Sequence, residues 1–258
     1  MTELTHTASP NAARYGRLRN FNLIVGLIFV LQVAAMVKLN KAFDVPLVLS
    51  YLKGQPGSGV LPKAPTEIFT FNLGICVAIF LACAALDHLL VGTLIRGWYE
   101  RQMESRANYA RWIEYTFSSS LMVVLIVVVV GVRDLGAIIA IIAANSAMIL
   151  FGLLMERKEV PGKTDWSAFW FSSVVGLAPW LIVIFYITHA SPPGFVYGIL
   201  ITQFLLFFSF ALNMGLQYKQ VGKWKDYIYG EYVYISLSIG AKTLLAWLIF
   251  ANVIRPAA

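Results

Sequence analysis

Seven apolar runs of about 20 residues recur along the 258-residue chain, near Phe21–Val37, Ile68–Ile95, Ile113–Val132, Leu135–Met155, Phe169–Ile187, Phe195–Leu216 and Tyr229–Val253. A helix of that length rises far enough to cross the hydrocarbon core of a bilayer. Backbone amides in lipid must find partners within their own segment, so these runs predict helices rather than open strands. The expected fold class is all-α, a bundle of seven transmembrane helices forming one domain over 1–258. Composition supports this: 59% of residues are hydrophobic and 13% charged, against roughly 25% charged in soluble domains. The net charge of +7 is therefore read through the loops, and no nucleic-acid partner is expected.

Most loops are short, which predicts antiparallel neighbours. The exception is the stretch 41–66, which holds "KGQPGSGVLPKAP". Its glycines and prolines exclude a helix, and "DVPLVLSYL" within it suits a small β-hairpin outside the membrane. Cys76 and Cys83 share a helix face but lie about 10 Å apart along it, too far for a disulfide. Residues 1–18 read as a polar tail with Arg14 and Arg17 and without an apolar core, so no cleavable signal is expected.

Orientation follows from loop lysines and arginines. If the N-terminus is inside, that side holds 13 of the 20 basic residues, the other side holds 6, and Lys242 lies within the membrane. The expected localisation is a multi-pass cell-membrane protein with its N-terminus cytoplasmic and its C-terminus extracellular. The lipid bilayer is then its first partner.

Ionisable residues inside the apolar runs narrow the function. Lys242 lies about half-way along the last segment, where a lysine costs about 3 kcal/mol and faces the bundle interior with a partner. Glu114 lies near the start of the third segment; Asp87 and His88 lie in the second. Two readings of Lys242 and Glu114 stand side by side. In one they are a structural ion pair. In the other Lys242 is a covalent anchor, because a desolvated lysine amine forms a Schiff base with an aldehyde, and the protonated product still needs a buried carboxylate.

The surroundings suit a long apolar ligand. Ser238 lies one turn before Lys242, and Ser118 one turn after Glu114, with Ser119 and Ser120 widening a polar stripe. Asn145 and Met148 lie three apart in the fourth segment, Pro179 and Trp180 in the fifth, and Phe210 in the sixth. Each aromatic taken alone is more often ordinary packing than a ligand contact.

Two stretches then carry a resemblance: "RWIEYTFSSSLM" in the third segment and "YGEYVYISLSIGAKTLLAW" in the last, with "QYKQVGKWKDY" before it. Seven helices with a lysine in the last, and the spacing Arg111-x-x-Glu114, resemble microbial-type rhodopsins. The longer motifs resemble heliorhodopsin, the branch with an inverted, cytoplasmic N-terminus, over essentially the whole chain. The resemblance implies covalent all-trans retinal on Lys242, Glu114 as the single carboxylate counterion, and Ser238 where ion pumps usually carry a second aspartate. It implies that Ser119, Ser120, Asn145, Met148, Trp180, Phe210 and Gln217 lie around the chromophore. It also implies a proton network at His88, with Asp87 beside it and Arg111 near it, and a homodimer joined through the first external loop. One departure is visible: Phe29 stands where many members carry a histidine, before the glutamine matched to Gln32.

Beyond Ser120 the third segment runs "LMVVLIVVVVGV", and Leu125 sits three turns after Glu114, where pumps place a proton donor. The expectation is a slow photocycle without efficient pumping and a signalling role, read by an unknown cytoplasmic partner at the basic faces. The competing readings are a light-driven transporter or channel, and a retinal-free seven-helix receptor. A retinal-dependent isomerase stays open within the first reading. The sequence offers no nucleophile–base pair or metal cluster, so no enzyme and no metal are expected.

Overall fold

The computed structural model describes residues 12–255; the first eleven residues of the expected cytoplasmic tail lie outside the described residues. Among the described residues, seven helices are long and apolar enough to cross a membrane. They are α1 (Ala12–Leu39), α2 (Leu73–Gly92), α4 (Tyr109–Val129), α5 (Leu135–Lys158), α6 (Ser167–His189), α7 (Gly194–Tyr218) and α8 (Tyr227–Ile249). A short helix α3 (Arg96–Glu104) lies between α2 and α4, and α8 runs on into a π-helical turn at Phe250–Ile254.

Side-chain caps fix where four helices start. Asn72, Asn108, Asp134 and Asp226 accept from the amides of Ile75, Arg111, Ala137 and Ile228, at the starts of α2, α4, α5 and α8. Each satisfies an amide that has no partner within its helix, worth about 1 kcal/mol. The cap at Asn72 corrects the second apolar run, expected as a helix from Ile68. Residues Thr66–Asn72 instead form strand β2, antiparallel to β1 (Asp44–Leu49), with Val45 opposite Phe71. The hairpin is therefore present, but its second strand lies beyond most of the 41–66 loop. Phe69 and Phe71 lie opposite the buried Leu47 and Val45 across the hairpin. The hairpin also reaches the loop between α4 and α5, where the Val48 amide donates to the Arg133 carbonyl at 2.9 Å.

The helices pack in sequence, α1 on α2, α2 on α4, α4 on α5 and α5 on α6, with α7 on α8 and α8 back against α1. Trp180 of α6 sits edge-on to Phe204 and Phe207 of α7. Helix α4 is central: 67% of its apolar window is buried, against 11% for α6, whose exposed Phe171, Leu177 and Phe185 suit lipid. The chain crosses seven times, so the two ends of the bundle differ. One carries the start of α1 with the α2–α4, α5–α6 and α7–α8 connections, called here the N-terminal face. The other carries the hairpin.

Candidate functional site

Lys242 of α8 and Glu114 of α4 meet in the bundle, Nζ to Oε1 at 2.7 Å. They are 3% and 8% exposed. Sequence placed both in apolar segments, and a buried cation and anion in lipid are each expensive unless paired. The Lys242 ammonium also lies 5.2 Å from the centre of the Tyr115 ring and 6.0 Å from that of Phe29.

Lys242 borders a cavity of about 140 Å³ lined by α4, α5, α6, α7 and α8. Its walls are mainly apolar, with Met122, Met148, Phe207 and Phe210 among them. Ser118 and Ser238 reach it too, and both hydroxyls are buried without a protein partner. Polar atoms left open in an apolar site are rare in folded proteins. Here they mark the Lys242 end as the polar end of the cavity.

The other expected residues divide. Ser119, Met148 and Phe210 line the cavity. Asn145 and Ser120 stand behind it: Asn145 Nδ2 donates to Ser119 Oγ at 2.8 Å and to Ser120 Oγ at 3.1 Å. Trp180 and Gln217, expected around the chromophore, are not among the lining residues. Trp180 packs toward Phe204 and Phe207, and Gln217 lies against Gly230 near the N-terminal face. Hydropathy cannot set the rotation of helices that are apolar on every side; Trp180 meets the cavity through Phe207, which lines it.

A second, smaller cavity of about 20 Å³ lies toward the N-terminal face, bordered by Asn22, Asp87, His88, Tyr99, Arg111, Glu114 and Glu231 among others. That is room for about one water. His88 Nδ1 lies 2.7 Å from Asn22 Oδ1. Asp87, which could equally have been a helix-end charge, thus faces the same space as Glu114.

Arg111 does not pair with Glu114. It bonds Glu156 of α5 at 2.6 Å and Glu231 of α8 on its other side. Its guanidinium lies 3.9 Å from the centre of the Tyr234 ring. Asn108 completes the cluster, giving its amide to Glu156 at 2.9 Å and its side chain to Glu231 at 2.6 Å. Tyr227 donates to Glu156 at 2.9 Å, and Trp112 Nε1 donates to it as well. Sequence reasoning missed Glu156 and Glu231. Each sits within a turn or so of a helix end among polar neighbours, where a carboxylate reads as an interfacial charge.

Three comparisons bear on this arrangement. A family model described as heliorhodopsin matches residues 18–254. The fold is similar to the crystal structure of a light-driven proton pump, LR (Mac) from Leptosphaeria maculans, with a TM-score of 0.62 over 93% of this chain and 96% of that one. The two are 14% identical, so the likeness shows a rhodopsin-like fold alone. No curated protein sequence matches this one.

Proposed function

The chain belongs to the heliorhodopsin family, and from that premise we propose that it is a signalling photoreceptor in which Lys242 holds the chromophore and Glu114 balances its charge. Membership makes it a retinal-binding, light-sensing membrane protein, of a family of photoreceptors rather than catalysts. The observation that carries the finer reading is the 2.7 Å Lys242–Glu114 contact at the polar end of a mainly apolar cavity.

The residues fit the cofactor. A lysine amine is the group that condenses with an aldehyde, and the walls of Met and Phe side chains suit a conjugated hydrocarbon chain. The unpartnered hydroxyls of Ser118 and Ser238 suit the polar linkage. Bound retinal would supply light absorption and isomerisation about a double bond. Everything else falls to the protein. Lys242 nitrogen keeps a positive charge buried, and Glu114 stabilises it at close range in a medium of low dielectric. Lys242 is 3% exposed, which keeps the linkage away from bulk water. Asn145 fixes the rotamers of Ser119 and Ser120, and so the shape of the α4 wall.

Pumping needs a proton route on both sides of Lys242. Toward the N-terminal face there is Glu114 and the small polar cavity. Toward the hairpin, Met122 to Val128 of α4 are all buried and apolar, and Leu125 is fully enclosed. Along α4 a proton that leaves Lys242 thus finds no ionisable relay toward the hairpin, and the polar Gln32 and Thr243 on that side bond each other, which favours a state that waits for a partner over net transport. We infer that the N-terminal face is cytoplasmic, from the excess of basic residues there, and that a cytoplasmic protein reads the light state at that face. A dimer through the hairpin is part of the same reading.

The test is an absorption spectrum of membranes supplied with all-trans retinal, for the wild-type chain and Lys242→Ala. A visible band present in the first and lost in the second supports the anchor. No band in either, with the protein folded, sinks the reading and leaves Lys242–Glu114 a structural pair. A sustained light-driven pH change in a cell suspension would favour the transporter instead.

A further inference from the structure

Phe29 of α1 is fully enclosed and adjoins two polar groups that do not bond each other. Its ring lies nearly parallel to the His88 imidazole, 9° between planes with centres 5.8 Å apart. The Lys242 ammonium is 6.0 Å from the centre of the same ring. We propose that Phe29 is an apolar shutter that leaves Glu114 as the polar exit from Lys242 toward His88 and the small cavity.

The other polar groups near Lys242 do not complete a second route. Tyr115 borders both cavities, but its hydroxyl donates to the Tyr234 carbonyl at 3.3 Å. Ser118 and Ser238 border the large cavity and not the small one. On α1, Gln32 lies beyond Phe29 and is held by Thr243 and Trp247 of α8. Among the described residues Glu114 alone both bonds Lys242 and borders the small cavity, where Asp87, His88, Arg111 and Glu231, with the phenols of Tyr99, Tyr115 and Tyr234, are the other charged or titratable neighbours. Proton movement then runs in series. An N–H bond at Lys242 breaks as an O–H bond forms on Glu114, and His88 can receive a proton only through Glu114 and whatever fills the space beyond it. A phenyl ring offers neither donor nor acceptor, so it interrupts a chain that a polar side chain would complete.

The light-driven arm of this inference rests on the photoreceptor reading; the retinal-free arm does not. In retinal-free protein, the ring-nitrogen NMR signals of His88 are compared with and without Lys242→Met. The shift should be small with Phe29 or Phe29→Leu and clearly enlarged with Phe29→Ser, whose vacated space admits water. Equal shifts in all three would overturn the shutter. In pigmented protein, illumination should leave the His88 protonation state unchanged when Glu114→Gln blocks the exit and Phe29 is intact. A light-induced change there would equally overturn it, and this arm needs no variant at Phe29. With no visible band in any variant the photoreceptor reading fails, while the retinal-free comparison still decides the role of Phe29.

Discussion

Arg111 and Glu231 are joined across 120 residues of sequence, from the first turn of α4 to the first turns of α8. Together with Glu156 they tie three helices at the N-terminal face. All three residues are nearly or wholly enclosed, so the cluster is a buried charge network and not a surface salt bridge. Removing one member leaves another uncompensated, which costs about 3–5 kcal/mol. Arg111→Ala should therefore unfold in detergent at a clearly lower temperature than wild type, followed by circular dichroism. Arg111→Lys should recover little of the loss, since a single ammonium cannot bond two carboxylates and stack on Tyr234 as the guanidinium does.

Replacing Glu114 by glutamine keeps the shape of the site and removes the charge beside Lys242. The cation on the chromophore loses its ground-state stabilisation, so the visible band should move to longer wavelength. An unchanged spectrum would remove Glu114 from the counterion role.

Two glycines beside the cavity should behave differently. A Cβ at Gly152 would lie 2.5 Å from the Trp112 ring, and that indole is held by its bond to Glu156. Gly152→Ala should cost about 1–3 kcal/mol through overpacking and lower the yield of pigment. A Cβ at Gly176 would meet Met148, whose thioether turns easily into other rotamers. Gly176→Ala should form pigment nearly as well as wild type, with any spectral shift coming from the displaced methionine.

Asn145 is buried and donates to two serine hydroxyls. Asn145→Leu leaves both without that donor inside the bundle, a loss of about 1–3 kcal/mol. Thermal bleaching of the pigment should be faster, with the absorption maximum little moved, because Asn145 stands behind the cavity wall.

Much of this was legible beforehand. Length and hydropathy give seven spans, because the bilayer demands long apolar helices whatever else the chain does. Lys242 and Glu114 stand out because charge inside such a span is rare. Glu156 and Glu231 did not, since a carboxylate near a helix end is ordinary until tertiary packing encloses it. Helix α3 is short and polar and carries no span signal. Strand β2 was hidden because Ile68, Phe69 and Phe71 continue into α2 without a break in hydropathy, and only the Asn72 cap separates them. Trp180 and Gln217 stand outside the lining of the large cavity, and the sequence is silent on this because nothing in an all-apolar helix says which side faces in.

The two ends of the bundle are fastened by different means. The hairpin is clasped to the α4–α5 connection backbone to backbone, through Val48 and Arg133, and such a bond does not depend on any side-chain charge. The opposite end has a backbone bond too, from the Gly162 amide to the Tyr218 carbonyl at 2.9 Å, but there α4, α5 and α8 are tied by side chains around one arginine. Helices α4 and α5 thus run about 30 Å from that clasp to Arg111 and Glu156. A tilt too slight to disturb the clasp would be magnified along that length and would be felt at the face where Arg111, Glu156 and Glu231 meet.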